Sequence, residues 1–460
     1  MNPFSSPVFL AKILKSYFFD INRLNKISNE TLRRYQDKQL RKMVAFAYTV
    51  PVYHDLYKQA GVHPHDITGI QDITKLPFIS KEEITKYYPD GIISLKTQRS
   101  SLIEVSTSGT SGKSLSLFVD PFDIVMGLFG YVRALSEYGI SWRKNKITII
   151  GDFATHTAET GYIKRGILPH LKFGSFFDNI QWLNTNDDPE KIMDDLAFFK
   201  PDFIGGYAGM LGHLALLKEK GLGTDVSPKC IASTGSVLDP ALKSFIEESF
   251  HTHLFEAYGA TESGPIAFQC IQGTYHVLSD LVYLEFVKDD KPVVSGQPGK
   301  LVVTKLYGRG TPFLRYTSVN DIVAPRDTKC SCGLAGDRIE KIYGRDDLAL
   351  FLPGGRVILA SSISNIFSKL LYELKTNKVK GTKIIQPNEQ KIEISLVIDD
   401  RLRNEGPSVE EICEFLLQRF QEKTGLGVES TVKEVKNIDG GGPRIVSYVD
   451  RQGFKIREYV

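Results

Sequence analysis

The chain has 460 residues, 42% hydrophobic and 24% charged, the balance of a folded globular protein and more chain than one hydrophobic core usually organises, so two or more domains are expected. Against 57 basic stand 54 acidic side chains, a formal net charge of +3, which leaves no global field to draw nucleic acid or an anionic membrane. No stretch reaches the roughly 18 to 20 apolar residues of a membrane span, and five cysteines are too few and too unevenly placed for a disulfide scaffold.

The opening apolar run Pro7-Val8-Phe9-Leu10-Ala11 is broken by Lys12 and Lys15 and lacks a small-residue cleavage site. It does not read as a secretory signal, and the chain is expected in the cytoplasm. Residues 8–19 fit an amphipathic helix with Phe9, Ile13, Phe18 and Phe19 on or near one face, packed on its own domain or lying on a membrane surface. Over 30–60, Leu32, Leu40, Met43, Val44 and Phe46 carry helical spacing up to a stop at Pro51.

From about 140 to 260, short apolar runs alternate with helix-period segments: Ile147–Ile150, Phe203-Ile204, Cys230–Ala232 and His253–Phe255. That alternation predicts an α/β layer with parallel strands. Leu281–Val287 and Lys300–Lys305, joined by the turn-rich Asp289–Gly299 segment, predict an antiparallel sheet or distorted barrel. After Gly344-Arg345-Asp346-Asp347 the pattern restarts with a strand over Ile392–Ile398, a helix over 409–423 and a strand over Ser430–Val435. Ser408 and Glu411 form a capping box for that helix, and Val409, Ile412, Cys413, Leu416 and Phe420 its apolar stripe.

The string Ser106-Thr107-Ser108-Gly109-Thr110-Ser111-Gly112-Lys113-Ser114 carries the most chemistry. Glycines let a backbone approach an oligophosphate, hydroxyls and amides donate to its oxygens, and Lys113 adds charge. A Walker loop would need glycine where the chain has Thr107, so that motif is excluded. A flexible Ser/Gly linker fits less well, because Lys113 leads into the alternating strand signature Leu115-Ser116-Leu117-Phe118.

Thr107–Lys113 resembles the phosphate loop of the adenylate-forming superfamily, which includes acyl- and aryl-coenzyme A ligases. A second string, Glu256-Ala257-Tyr258-Gly259-Ala260-Thr261-Glu262, resembles that superfamily's YGxTE motif. The resemblance implies Tyr258 against adenine, Thr261 on the α-phosphate and Glu262 holding Mg²⁺, with Gly235 and Ser236 in the nucleotide site as well. Pro312-Phe313-Leu314-Arg315-Tyr316 followed by Asp321 resembles the segment whose aspartate accepts both ribose hydroxyls, with one residue more than the usual spacing. Arg345 matches the arginine that helps hold the ribose, and Asp347 the hinge. Near the end, Arg444 stands where the family carries its adenylation lysine, after the glycine run 440–442; arginine is also a cation but its planar fork makes the exchange non-neutral.

Length, the short N-terminal region and Cys270-Ile271-Gln272-Gly273-Thr274-Tyr275-His276 resemble the phenylacetate–coenzyme A ligases and CapK-like proteins most. The resemblance implies an α/β fold: a large N-terminal domain, 1–344, with α/β layers and a distorted β-barrel, and a small mobile α+β lid, 345–460. It implies ATP-dependent activation of an aryl or acyl carboxylic acid to an acyl-adenylate and transfer to coenzyme A, with AMP as product. An amine, a carrier-protein thiol or a sugar as acceptor stays open, as does a nucleotide-binding homologue that has given up catalysis, and a homodimer is compatible.

The acid pocket is expected to involve Phe153, Tyr207 and Met210, residues equally at home in plain core. Cys270, His276, Cys330 and Cys332 make a Cys₃His set suited to a closed, structural zinc site, and some phenylacetate ligase-like proteins bind zinc in these segments. A buried Cys270 with an incidental surface C-x-C turn is the plainer alternative.

Overall fold

In the computed structural model, described over residues 6–107, 114–154, 157, 159–167, 178–425, 427–438, 444–451, 454, 456 and 458–459, the apolar runs between 147 and 260 form a parallel sheet. Its strands lie in the order Ile180–Asn184, Ile147–Gly151, Phe203–Tyr207, Cys230–Thr234, His253–Ala260. Helices Pro189–Phe199, Ala208–Glu219 and Pro240–Phe250 make the crossovers that parallel pairing requires. Period-two alternation then divides the side chains: Ile150, Ile204, Ile231 and Leu254 pack under those helices, while Ile147, Phe203 and Ala232 point to the opposite face with Leu135 of helix Pro121–Glu137.

His253–Ala260 is where the sheet changes sense, being parallel to Cys230–Thr234 on one side and antiparallel to Gly264–Gln269 on the other. Antiparallel pairing continues through Tyr275–Val277, Arg338–Arg345, Asp321–Arg326, Gly299–Lys305 and Val282–Lys288 to Lys291–Pro292, giving one 12-stranded sheet. The two strands expected around the Asp289–Gly299 turn pair in register from Val282 opposite Lys305 to Val287 opposite Lys300. The strand order has two free ends, so the antiparallel half extends the parallel half with no closed barrel among the described strands.

Helices Asn29–Ala47 and Pro51–Gln59 cover the antiparallel half, where Leu32, Leu40 and Val44 share a core with Val277, Leu281 and Val303. The first helix already ends at Ala47, and Pro51 opens the next, since its fixed φ and missing N–H suit a first helical position. Residues after 345 have a core of their own: Ile363, Ile366, Ile394, Ile412, Leu416 and Phe420 pack between helices Ala360–Tyr372 and Val409–Thr424 and a four-stranded sheet. That sheet runs Glu429–Glu434, Lys391–Ile398, Val379–Asn388, Ile445–Ser447. The Ser408/Glu411 capping box is formed, and Cys413 packs at the edge of this core.

Candidate active site

A cavity of about 1700 Å³ lies at the carboxyl ends of the parallel strands, reached by Gly151, Tyr207, Thr234 and Tyr258, the usual position for a ligand site in an α/β sheet. The glycine-rich string is the tip of a hairpin. Ile103–Ser106 pairs antiparallel with Ser116–Val119, and Thr107 and Leu115 close the ladder, the Thr107 N–H donating to the Leu115 carbonyl at 2.9 Å and the Leu115 N–H to Thr107 Oγ1 at 2.9 Å. Ser106, Thr107 and Ser114 line the cavity. Ser108, Gly109, Thr110, Ser111, Gly112 and Lys113 lie outside the described residues.

The second string runs off the end of His253–Ala260, so Glu256, Ala257, Tyr258, Gly259, Thr261 and Glu262 all line the same cavity. The Thr261 carbonyl accepts from the Tyr162 hydroxyl at 3.1 Å. Glu262 accepts from Tyr316 at 3.2 Å, and burial raises its pKa. A carboxylate oxygen at a cavity wall, with one neutral donor on it, fits a hard divalent cation. Gly235 and Ser236 complete this wall. Gly235 has φ +81°, and a Cβ there would stand 2.4 Å from the Tyr207 ring, so glycine is what lets that ring lie against the turn.

Asp321 and Arg345 come together through strand pairing, being register partners across the ladder between Asp321–Arg326 and Arg338–Arg345. Both line the cavity. Asp321 accepts a short hydrogen bond from the Tyr258 hydroxyl. Burial pushes its pKa up to about 6, against the lowering pull of Tyr258 and Arg345. Arg345 donates from Nε and Nη2 to Asp347 at 2.9 and 2.6 Å, and Asp347 also accepts from Asn320 at 3.2 Å.

Of the residues expected around an acid, Tyr207 lines the cavity and donates its hydroxyl to Glu159. Phe153 is edge-on to Trp182 at 6.0 Å and is not among the cavity-lining residues. Met210 is 9% exposed, belongs to the core under the helices and is not among the cavity-lining residues, which is the plain-core alternative. Arg444 is exposed, opens the edge strand Ile445–Ser447 with its carbonyl accepting from Ile384 at 2.8 Å, and is not among the cavity-lining residues.

Four side chains escaped sequence reasoning. Tyr316 lay inside a quoted string but without a role. Lys81, a cavity-lining cation, is brought in by the bridge between Ile79 and Tyr316 and by its own N–H on Ser318 at 3.0 Å, a long-range contact with no local signature. Asn320 and Glu159 likewise acquire meaning only from their partners.

The cysteine and histidine set does assemble. Gly264–Gln269 and Tyr275–Val277 form a hairpin whose tight turn brings Cys270 back toward His276, and His276 is the register partner of Arg338, next to the Cys330–Cys332 knuckle. The four ligand atoms lie within 4.8 Å of one another. Cys270 Sγ and Cys330 Sγ are 3.7 Å apart and Cys332 Sγ is 3.2 Å from His276 Nε2. Tetrahedral zinc with thiolates at about 2.3 Å sets sulfurs roughly 3.8 Å apart, so the arrangement fits. Burial lowers the His276 pKa to about 4, leaving a neutral imidazole.

No family model matches the chain. It is 25% identical over 364 residues to the phenylacetate-coenzyme A ligase of Thermus thermophilus, covering 73% of this chain and 75% of that one. To the phenylacetate-coenzyme A ligase of Escherichia coli it is 25% identical over 438 residues, covering 91% and 94%. A crystal structure of 2-hydroxyisobutyryl-CoA ligase in the postadenylation state superimposes with a TM-score of 0.71 at 18% identity, over 94% of this chain and 92% of that one. The sheet switches from parallel to antiparallel at the YGATE strand, Ser106, Thr107, Ser114 and Asp321 line the same cavity, and the fold is shared with that ligase. By sequence the chain is similar to phenylacetate–coenzyme A ligases.

Proposed function

We propose that the chain is an AMP-forming carboxylate–coenzyme A ligase. The observation that carries this reading is the convergence of Tyr258, Thr261, Glu262, Asp321, Arg345 and both ends of the glycine-rich hairpin on one cavity. In the first step a carboxylate oxygen bonds to the α-phosphorus of ATP and the bond to the pyrophosphate oxygen breaks, leaving an acyl-adenylate. In the second, the sulfur of coenzyme A bonds to the acyl carbon, the thiol proton is lost, and AMP departs with the electrons of the anhydride bond.

Most of the protein's task is to hold charge and orientation. Asp321 and Arg345 hold the ribose, the Tyr258 ring faces the adenine, and Thr261 donates to the α-phosphate, while the loop ending in Lys113 grips the phosphates. Magnesium bound by Glu262 would offset phosphate charge. Arg444 is the cation offered to the carboxylate and α-phosphate, carried by a lid over 345–460 that turns about Asp347 between the two steps. Tyr207 borders the acid. Zinc on Cys270, His276, Cys330 and Cys332 would be structural, since four protein ligands leave no open position.

No helix among the described residues is long and apolar enough to cross a membrane, and five free thiols suit a reducing cytoplasm. The deciding measurement is pyrophosphate release with ATP, Mg²⁺ and a carboxylic-acid panel, followed by AMP formation with and without coenzyme A. Acid-dependent pyrophosphate with coenzyme A-dependent AMP is expected. Pyrophosphate without a coenzyme A effect would transfer the reading to another acceptor, and no pyrophosphate with any acid would end it.

A further inference from the structure

The cavity, about 1700 Å³, has to take a nucleotide, an acid and the thiol arm of coenzyme A, where single small-molecule sites run to roughly 300–1,000 Å³. Part of it lies away from Asp321 and Arg345, over the face of the parallel sheet that the crossover helices leave uncovered. The half-buried Ile149, Ile180 and Trp182 form its floor, beside the buried Ile147 and Phe203. Leu128, Val132 and Leu135 of helix Pro121–Glu137 form its roof. Gly205 keeps the floor low: a Cβ there would press on Phe203 at 3.1 Å and Ile149 at 3.2 Å.

This chamber begins at Gly151 and Tyr207, beside the acid site, and runs back along the strand to Ile147 and Trp142. Four residues of strand measure about 13 Å, roughly the reach of an extended ten-carbon chain with bonds near 1.5 Å. A phenyl ring beside Tyr207 would leave most of that length without contacts, whereas a narrow chain would fill it. At the far end stand Leu14 and Phe18 of the N-terminal helix, 55% and 65% exposed, so a longer tail would emerge against apolar side chains.

We propose that the acid activated here is a long, unbranched aliphatic one whose tail lies in this chamber, an inference that rests on the acid-activating reading above. Each methylene buried should strengthen binding roughly fourfold. The chain supplies its own reporter, because its 2 tryptophans, Trp142 and Trp182, both line the chamber.

The experiment has two arms. Tryptophan fluorescence is titrated with butyrate, octanoate, decanoate, dodecanoate and phenylacetate without ATP, and pyrophosphate release is measured with the same acids. Expected are a fluorescence change and a Kd falling steeply from butyrate to decanoate, and a kcat/KM for decanoate at least about tenfold above that for phenylacetate. Ile149→Phe should move the optimum to shorter acids, and Leu128→Phe should do the same from the roof should the first variant fail to fold. Equal or better use of phenylacetate or butyrate, with fluorescence indifferent to chain length, overturns the proposal while leaving the ligase reading intact. Chain-length-dependent fluorescence with no pyrophosphate from any acid would instead support the chamber's ligand class and remove the ligase reading.

Discussion

Arg345 and Asp347 form a two-point ion pair two residues apart, with Nε and Nη2 at 2.9 and 2.6 Å from the two carboxylate oxygens. Asp347 also receives Arg451 on its carbonyl at 2.9 Å. The cavity-lining arginine and the aspartate proposed as the hinge are thus one unit, and in the proposed ligase Asp347 would act on nucleotide through Arg345. Asp347→Ala should raise the KM for ATP roughly tenfold, as expected for loss of a charged hydrogen-bond pair. Arg345→Ala should cost as much, and the double variant little more, a non-additivity read from a double-mutant cycle. Additive losses would mean the two act separately.

In the proposed role Asp321 accepts from two ribose hydroxyls as an ionised carboxylate, and burial has raised its pKa to about 6. AMP affinity should therefore fall on acidification, to about one tenth between pH 7 and pH 5. The stability effect has the opposite sense. Between the unfolded value of about 3.9 and the folded value, the native state holds the extra proton, so this group makes stability fall as pH rises through that window. Asp321→Asn should remove both dependences, which calorimetric AMP titration and urea melts at the two pH values would detect.

For the Cys₃His cluster, metal analysis of purified protein should find about one zinc per chain. Chelation, or Cys270→Ser, should lower Tm by about 5 °C or more, corresponding to some 5 kcal/mol in a protein of this size. Metal-free protein that melts at the same temperature would leave the four residues as ordinary packing.

Arg133 and Asp280 make a prediction independent of function. Their side chains are 2% and 1% exposed and pair at 2.9 Å, while Arg133 also donates to the carbonyls of Ile21 and Asp20 at 2.8 Å each. Arg133→Ala takes the two-point partner from a buried carboxylate and leaves it Arg23, whose Nε stands 3.5 Å away, and should cost about 3 kcal/mol, measured by urea denaturation. A loss near zero would show that Asp280 finds another donor.

Arg444 is tested by carboxylate-dependent pyrophosphate release from wild type, Arg444→Lys and Arg444→Ala. The alanine variant is expected to lose at least about a hundredfold if the cation stabilises charge at the α-phosphate. An alanine variant equal to an active wild type would show that Arg444 has no such role. Activity confined to the lysine variant would mark a chain that has given up adenylation.

Much of the frame was legible because local patterns sufficed. The strands at 147, 203, 230 and 253 announced themselves as β-branched and apolar runs, and the 409–424 helix by its capping box. The strands Tyr275–Val277, Asp321–Arg326 and Arg338–Arg345 had no such alternation, since bulges and polar site residues interrupt them, and with them went the explanation of how Asp321 meets Arg345. The expected pocket residue Met210 illustrates the limit on the other side. Its position depends on which way one helix is rotated, and Ala208–Glu219 is apolar nearly all round, so the sequence carried no face to choose by.

His253–Ala260 is hydrogen-bonded on both sides, with opposite senses, and its irregular register at Tyr258/Gly259 is fixed by a contact no side chain could share: a Cβ on Gly259 would lie 2.9 Å from the Gly264 carbonyl. Adding or deleting one residue there would turn Tyr258 to the wrong face and slide Thr261 and Glu262 off the cavity together. Between Lys288 and Lys291 the ladder ends at an edge, and the Asp289-Asp290 turn touches none of this. As copies of this gene diverge, length should therefore drift freely at the one turn and scarcely at all in the eight residues of the other strand.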